Sequence, residues 1–136
     1  MPILIRAVAV YLVLLAVAVA VNFIATPLYH PGGDEPFRVW EVLNYFMAVG
    51  IVLTVAAGYV EKRSVSGEGT EYLRRYIRAN TVFYASVAVL LLFFWNWFSN
   101  LSADNVADGQ VWTVVDTLMP IVVGITGCRV WRCAGR

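Results

Sequence analysis

The chain has 136 residues, room for one domain, and it is 60 % hydrophobic and only 14 % charged. Soluble domains average about 45–50 % apolar and about 25 % charged, and a water-soluble core of this size could not hide the excess. The net charge of +1 says nothing about partners, whereas the placement of the charges says a great deal.

The first apolar stretch runs from about Ile3 to Ala25, interrupted by Arg6 and Asn22. A short basic start and the small residues Ala16, Ala18 and Ala20 also fit a signal peptide, whose cleavage would leave three spans. The run is longer than the about 7–15 residues usual in such a leader, so a retained span is expected. Thr26-Pro27 and His30-Pro31-Gly32-Gly33-Asp34-Glu35-Pro36 read as a loop by their turn chemistry. His30 is the single histidine. Beside Asp34 and Glu35 it is a candidate metal ligand, but a lone imidazole in a polar loop is expected to be solvated.

The second stretch runs from about Phe37 to Val60, with Glu41, Asn44 and Ala48 one turn apart on one side. In it Gly50, Thr54 and Gly58 recur every four residues, the pattern of a small-residue packing face. The loop that follows, Ser64 to Gly69, is flanked by Lys62, Arg63, Arg74, Arg75 and Arg78. Thr70 is the predicted N-cap of a helix with Glu71 in its first turn. Tyr72, Leu73, Tyr76 and Ile77 fall on one side of that helix, which extends the third span inward. It is read as a topology signal with snorkelling arginines rather than a docking site for anionic lipid or a partner.

The third stretch spans about Ala79 to Phe98, with Asn96 near its outer end, and polar residues from Asn100 to Gly109 form a loop. In the fourth, about Val111 to Val130, Thr113, Asp116, Thr117, Pro120, Gly124, Gly127 and Cys128 recur at helical spacing. They predict one polar, small packing stripe, with Val114, Leu118, Val122 and Ile125 opposite. Pro120 cannot donate to the carbonyl of Asp116, so a kink is predicted there.

Each stretch is about 20 residues long, what a helix needs to cross a hydrocarbon core of about 30 Å. Lipid satisfies no backbone hydrogen bonds, and barrel strands would be about half that length. The expected fold is therefore an all-α membrane protein, a single four-helix transmembrane domain over residues 1–136. Of its ten Lys and Arg residues only Arg38 lies with the first and third loops, which carry Asp34, Glu35, Asp104 and Asp108. The positive-inside bias puts both termini and the middle loop in the cytoplasm, with a bacterial inner membrane as the expected location.

Polar residues within the spans gather in one layer. Asn22, Glu41, Asn44, Asn96 and Asp116 come from four helices yet all fall in the outer half, beside Trp40, Tyr45, Trp95, Trp97 and Trp112. Such groups are costly in lipid. They either line a pocket for a proton, a quinone headgroup or a cation, or hydrogen-bond between helices beneath an aromatic belt. The second reading is favoured, with Asp116 the deepest of the five.

Nucleotide-binding glycine motifs, zinc-protease motifs and haem-attachment motifs are absent from the sequence. Cys128 and Cys133 make neither a zinc site nor a disulfide framework. No catalytic residue and no cofactor is expected. The expected role is a small non-catalytic accessory or structural subunit of a larger membrane complex of respiratory, photosynthetic or monooxygenase type. Its partners would be other membrane subunits and lipids, not nucleic acid. The alternative is a small homo-oligomeric proton-coupled transporter using Asp116 and Glu41.

Overall fold

The computed structural model describes residues 2–33 and 35–135. Asp34 and Arg136, counted above with the acidic loop and the basic C-terminal group, lie outside the described residues. The rest forms four helices: α1 (Pro2–Tyr29), α2 (Arg38–Ser64), α3 (Gly69–Leu101) and α4 (Gly109–Ala134). All four are long and apolar enough to cross a membrane.

Each helix outruns its predicted span. α1 continues through Thr26 and Pro27, which the sequence assigns to a loop. Proline removes one helical hydrogen bond only, and the Thr26 hydroxyl holds the turn by donating to the Asn22 carbonyl at 2.6 Å. The backbone N–H of His30 still donates to the carbonyl of Thr26, one residue beyond the helix. At the start of α3 a different correction applies. Thr70 is not the N-cap: the helix begins at Gly69, and Glu68 in the cap position makes no side-chain capping bond. Gly67 and Gly69, at φ +128° and +85°, make the reversal with backbone conformations that only glycine adopts easily, so the turn needs no cap. α3 then has 33 residues, about 50 Å at 1.5 Å per residue.

The four helices pack as an antiparallel bundle in which the backbones of α1 and α3 do not approach each other closely. The most extensive contact is α1 against α4. There Gly127 faces Leu12 and Val13 while Gly124 faces Ala16, and the opposite running order of these pairs shows the helices to be antiparallel. A side chain at Gly127 would come within 3.1 Å of the backbone nitrogen of Val13, so the absence of a side chain lets the two backbones close together. Gly50 of α2 takes the Leu15 side chain in the same way, and Gly58 lies against Phe83 of α3. Beside Gly50, the Tyr11 hydroxyl reaches the main chain of α2 and donates to the Phe46 carbonyl at 2.7 Å. Thr54, between the glycines, is buried with its hydroxyl spent on the Gly50 carbonyl.

The centre is a plug of wholly buried apolar side chains, among them Leu12, Met47, Ile51, Phe93, Val115, Met119 and Val123. The buried side of α4 is therefore Val115, Asp116, Met119, Val122, Val123, Thr126 and Gly127. It overlaps the predicted stripe at Asp116 and Gly127, while Pro120 and Gly124 are half-buried and Thr113, Thr117 and Cys128 are exposed. Val122 lies inside rather than on the opposite face. The reason is chemical: both exposed threonines satisfy their hydroxyls on carbonyls of their own helix, Thr113 on Gly109 and Thr117 on Thr113, and so need no neighbour. α4 runs through Pro120 as one helix.

The two ends of the bundle differ in charge. The end bearing the α2–α3 loop carries Lys62, Arg63, Arg74, Arg75 and Arg78 and is called the basic end below; the other bears the α1–α2 and α3–α4 loops and is called the acidic end.

Candidate functional site

At the acidic end the helices diverge around a pocket of about 330 Å³. α1 contributes Phe23, Thr26 and Pro27. Phe37, Trp40 and Asn44 come from the start of α2, Asn100 from α3, and Gly109, Trp112, Thr113 and Asp116 from α4. The wall is largely aromatic. Among the described residues Asp116 is the one charged side chain in it.

Asp116 reaches this position because it lies two turns inside α4, next to the buried Val115 and one turn before Met119. Its side of the helix faces the bundle, and it is only 7 % exposed. Its Oδ1 is buried and has no hydrogen-bond partner. Asn44, 5 % exposed, is in the same state at its own Oδ1. Each unpaired buried polar atom costs on the order of 1–3 kcal/mol, which marks the pocket as the least satisfied polar region near this end.

The remaining members of the predicted polar layer have other employments. Glu41 is exposed and is absent from the pocket wall, so the two carboxylates considered together from the sequence do not share a cavity. Asn22 accepts from the Tyr29 hydroxyl at 2.8 Å, and its Nδ2 is buried without a partner. Asn96, fully buried, holds the α3–α4 loop by two hydrogen bonds. Its Oδ1 accepts from the backbone N–H of Asp108 at 2.8 Å, and its Nδ2 donates to the Asp108 carbonyl at 2.9 Å. The tryptophans also divide: Trp40 and Trp112 line the pocket, Trp97 is in the core, and Trp95 points outward.

Several participants escape a reading of the sequence. Trp40 Nε1 donates to Thr26 Oγ1 at 2.9 Å, so α1 and α2 are joined at the pocket rim by a chain running from indole to hydroxyl to the Asn22 carbonyl. Thr26 was legible only as a turn residue. At the basic end, Arg129 Nη1 donates to both carboxylate oxygens of Glu61, at 2.9 and 3.1 Å. Residues 68 positions apart leave no local pattern from which that pair could be found.

His30 is fully occupied within its loop. Gly32 N–H donates to Nδ1 at 3.0 Å, so the other nitrogen carries the proton, and Nε2 donates to the Glu35 carbonyl at 3.0 Å. The ring stacks on Phe37 with centroids 3.8 Å apart. Among the described residues no three His, Cys, Asp or Glu side chains group to hold a metal. Both cysteines are free and exposed.

In chemical terms the pocket offers one carboxylate, amide and hydroxyl groups and aromatic faces. It supplies hydrogen-bond acceptance and negative charge in an apolar setting, and among the described residues its wall holds no imidazole, thiol or amine. Comparisons with protein-family models, with curated proteins and with solved structures return no match.

Proposed function

We propose that this chain is an integral membrane protein of a bacterial inner membrane and serves there as a non-catalytic accessory subunit of a larger membrane complex. Its basic end, with both termini, faces the cytoplasm and its acidic end faces outward, in line with the positive-inside rule. What carries the accessory role is the arrangement of polar and apolar layers inside the bundle. The pocket around Asp116 is lined by residues near the acidic end, and beneath it the apolar plug of Met47, Ile51, Phe93, Met119 and Val123 is wholly buried. Such a protomer supports binding and assembly better than passage. The separation of Glu41 from the pocket likewise gives little support to a proton path through both acids.

The exterior fits the same role. Val42, Val49, Leu91, Val114, Leu118 and Ile121 are exposed along the spans, a surface that only lipid or other transmembrane helices can cover. On α3 the exposed Ala85 and Ala88 would let a partner helix approach closely.

Extraction in mild detergent followed by size-exclusion chromatography and native mass spectrometry tests this. The expected result is a complex of fixed stoichiometry containing non-identical membrane chains. Recovery of this chain alone, with proton-coupled flux after reconstitution into liposomes, would overturn the reading in favour of a transporter.

A further inference from the structure

The acidic-end pocket specifies more than the presence of a cavity. Among the described residues Asp116 is the only charged side chain in its wall, so no basic side chain of that wall neutralises a carboxylate held there. The buried atoms left without a partner in that wall, Oδ1 of Asp116 and Oδ1 of Asn44, are both oxygens and need hydrogen-bond donors. Two prolines add to this demand. Pro120 of α4 and Pro27 of α1 lie inside helices and have no N–H for the carbonyl four residues earlier. Those carbonyls belong to Asp116 and Phe23, both in the pocket wall.

Three donors of the wall are committed elsewhere. The Thr26 hydroxyl donates to the Asn22 carbonyl and the Thr113 hydroxyl to the Gly109 carbonyl, while the Trp40 indole donates to Thr26. Around these acceptors stand the rings of Phe23, Phe37, Trp40 and Trp112. Aromatic faces are electron-rich and attract cations while disfavouring anions. The volume, about 330 Å³, is at the small end of ligand pockets, which run about 300–1,000 Å³.

We infer that this pocket binds a primary alkylammonium ion, its N–H groups donating to the Asp116 carboxylate and its carbon chain lying against the aromatic wall. A quaternary ammonium would satisfy the rings but bring no N–H to the oxygens. A metal ion would need more oxygen ligands than one carboxylate and scattered carbonyls provide. The same –CH₂–NH₃⁺ group occurs on soluble amines and on the headgroup of ethanolamine phospholipids, and either can reach a pocket at a bilayer edge. The inference rests on the membrane placement proposed above but not on partner subunits, so it is tested on the chain alone.

The purified full chain in phosphatidylcholine nanodiscs is titrated with hexylammonium by calorimetry, with empty nanodiscs subtracted. Saturable binding is expected, weaker by about tenfold or more for uncharged hexanol and for Asp116→Asn, since each removes a desolvated charge contact. Equal binding of hexanol to the unaltered chain would overturn the inference without any variant having to fold. So would unchanged affinity in a folded Asp116→Asn, or the absence of saturable binding. Nanodiscs containing phosphatidylethanolamine then assign the source. Competition with hexylammonium supports a lipid headgroup, and undiminished binding supports a soluble amine at the same ammonium site.

Discussion

At the scale of single residues, the structure separates positions that look alike in the sequence. Gly124 and Gly127 are both small residues on α4. An added Cβ at Gly124 would meet only the Ala16 Cβ at 3.4 Å, an ordinary contact, whereas at Gly127 it would press within about 3 Å of Leu12, Val13 and the Val13 backbone. Gly127→Ala is therefore expected to lose about 1–3 kcal/mol, the usual cost of overpacking. Gly124→Ala should be neutral or slightly stabilising, because alanine is the better helix former. Reversible unfolding in mixed detergent micelles reads both, and equal losses would refute the close approach at Gly127. Glu41 and Asp116 show the same kind of separation. The sequence places both acids in the outer half, Asp116 the deeper, but a helix turns about 100° per residue, and only the neighbours of each position decide which acid faces inward. Buried Val115 and Met119 turn Asp116 towards the bundle; Glu41 precedes the first buried residue of α2, Asn44, and stays outside.

Among the elements, the helices themselves were legible from hydropathy and length, and their ends were not. Turn residues mark a loop where water is available to the backbone; here Thr26 and Pro27 remain helical because proline costs α1 one hydrogen bond while Thr26 is tied to the Asn22 carbonyl and to Trp40 of α2. The entry into α4 is the clearest local device. Asp108 Oδ1 accepts from the backbone N–H of Gln110 at 2.7 Å and of Val111 at 3.2 Å, while Asn96 grips the Asp108 backbone from α3. Asp-Gly before an apolar run could have announced the cap; its anchorage on Asn96, twelve residues upstream, has no sequence signature. Replacing Asp108 by Ala should cost about 1 kcal/mol, and Asp108→Asn much less, since asparagine caps nearly as well. Equal losses for the two in the same unfolding assay would show that charge, not the capping geometry, holds the helix start.

For the whole molecule, the proposed orientation makes a direct prediction. In a chain with Cys128 and Cys133 replaced by Ser, Ser102→Cys should react with a membrane-impermeant maleimide on intact cells, and Ser66→Cys only after lysis. Labelling of Ser66→Cys on intact cells would invert the topology. The bundle's layout has a further consequence for how it is made. Its largest interface joins α1 to α4, the earliest and the latest of these four helices to leave the ribosome. Until α4 arrives, the face of α1 that carries Leu12, Leu15, Ala16 and Val19 has only α2 as a neighbour, and Glu61 at the end of α2 waits for Arg129. Closure is therefore a late, non-local event in biogenesis. A chain interrupted before α4 would leave α1 open to helices of other proteins, so whatever assembles with the finished bundle meets a surface different from the one the nascent chain presents.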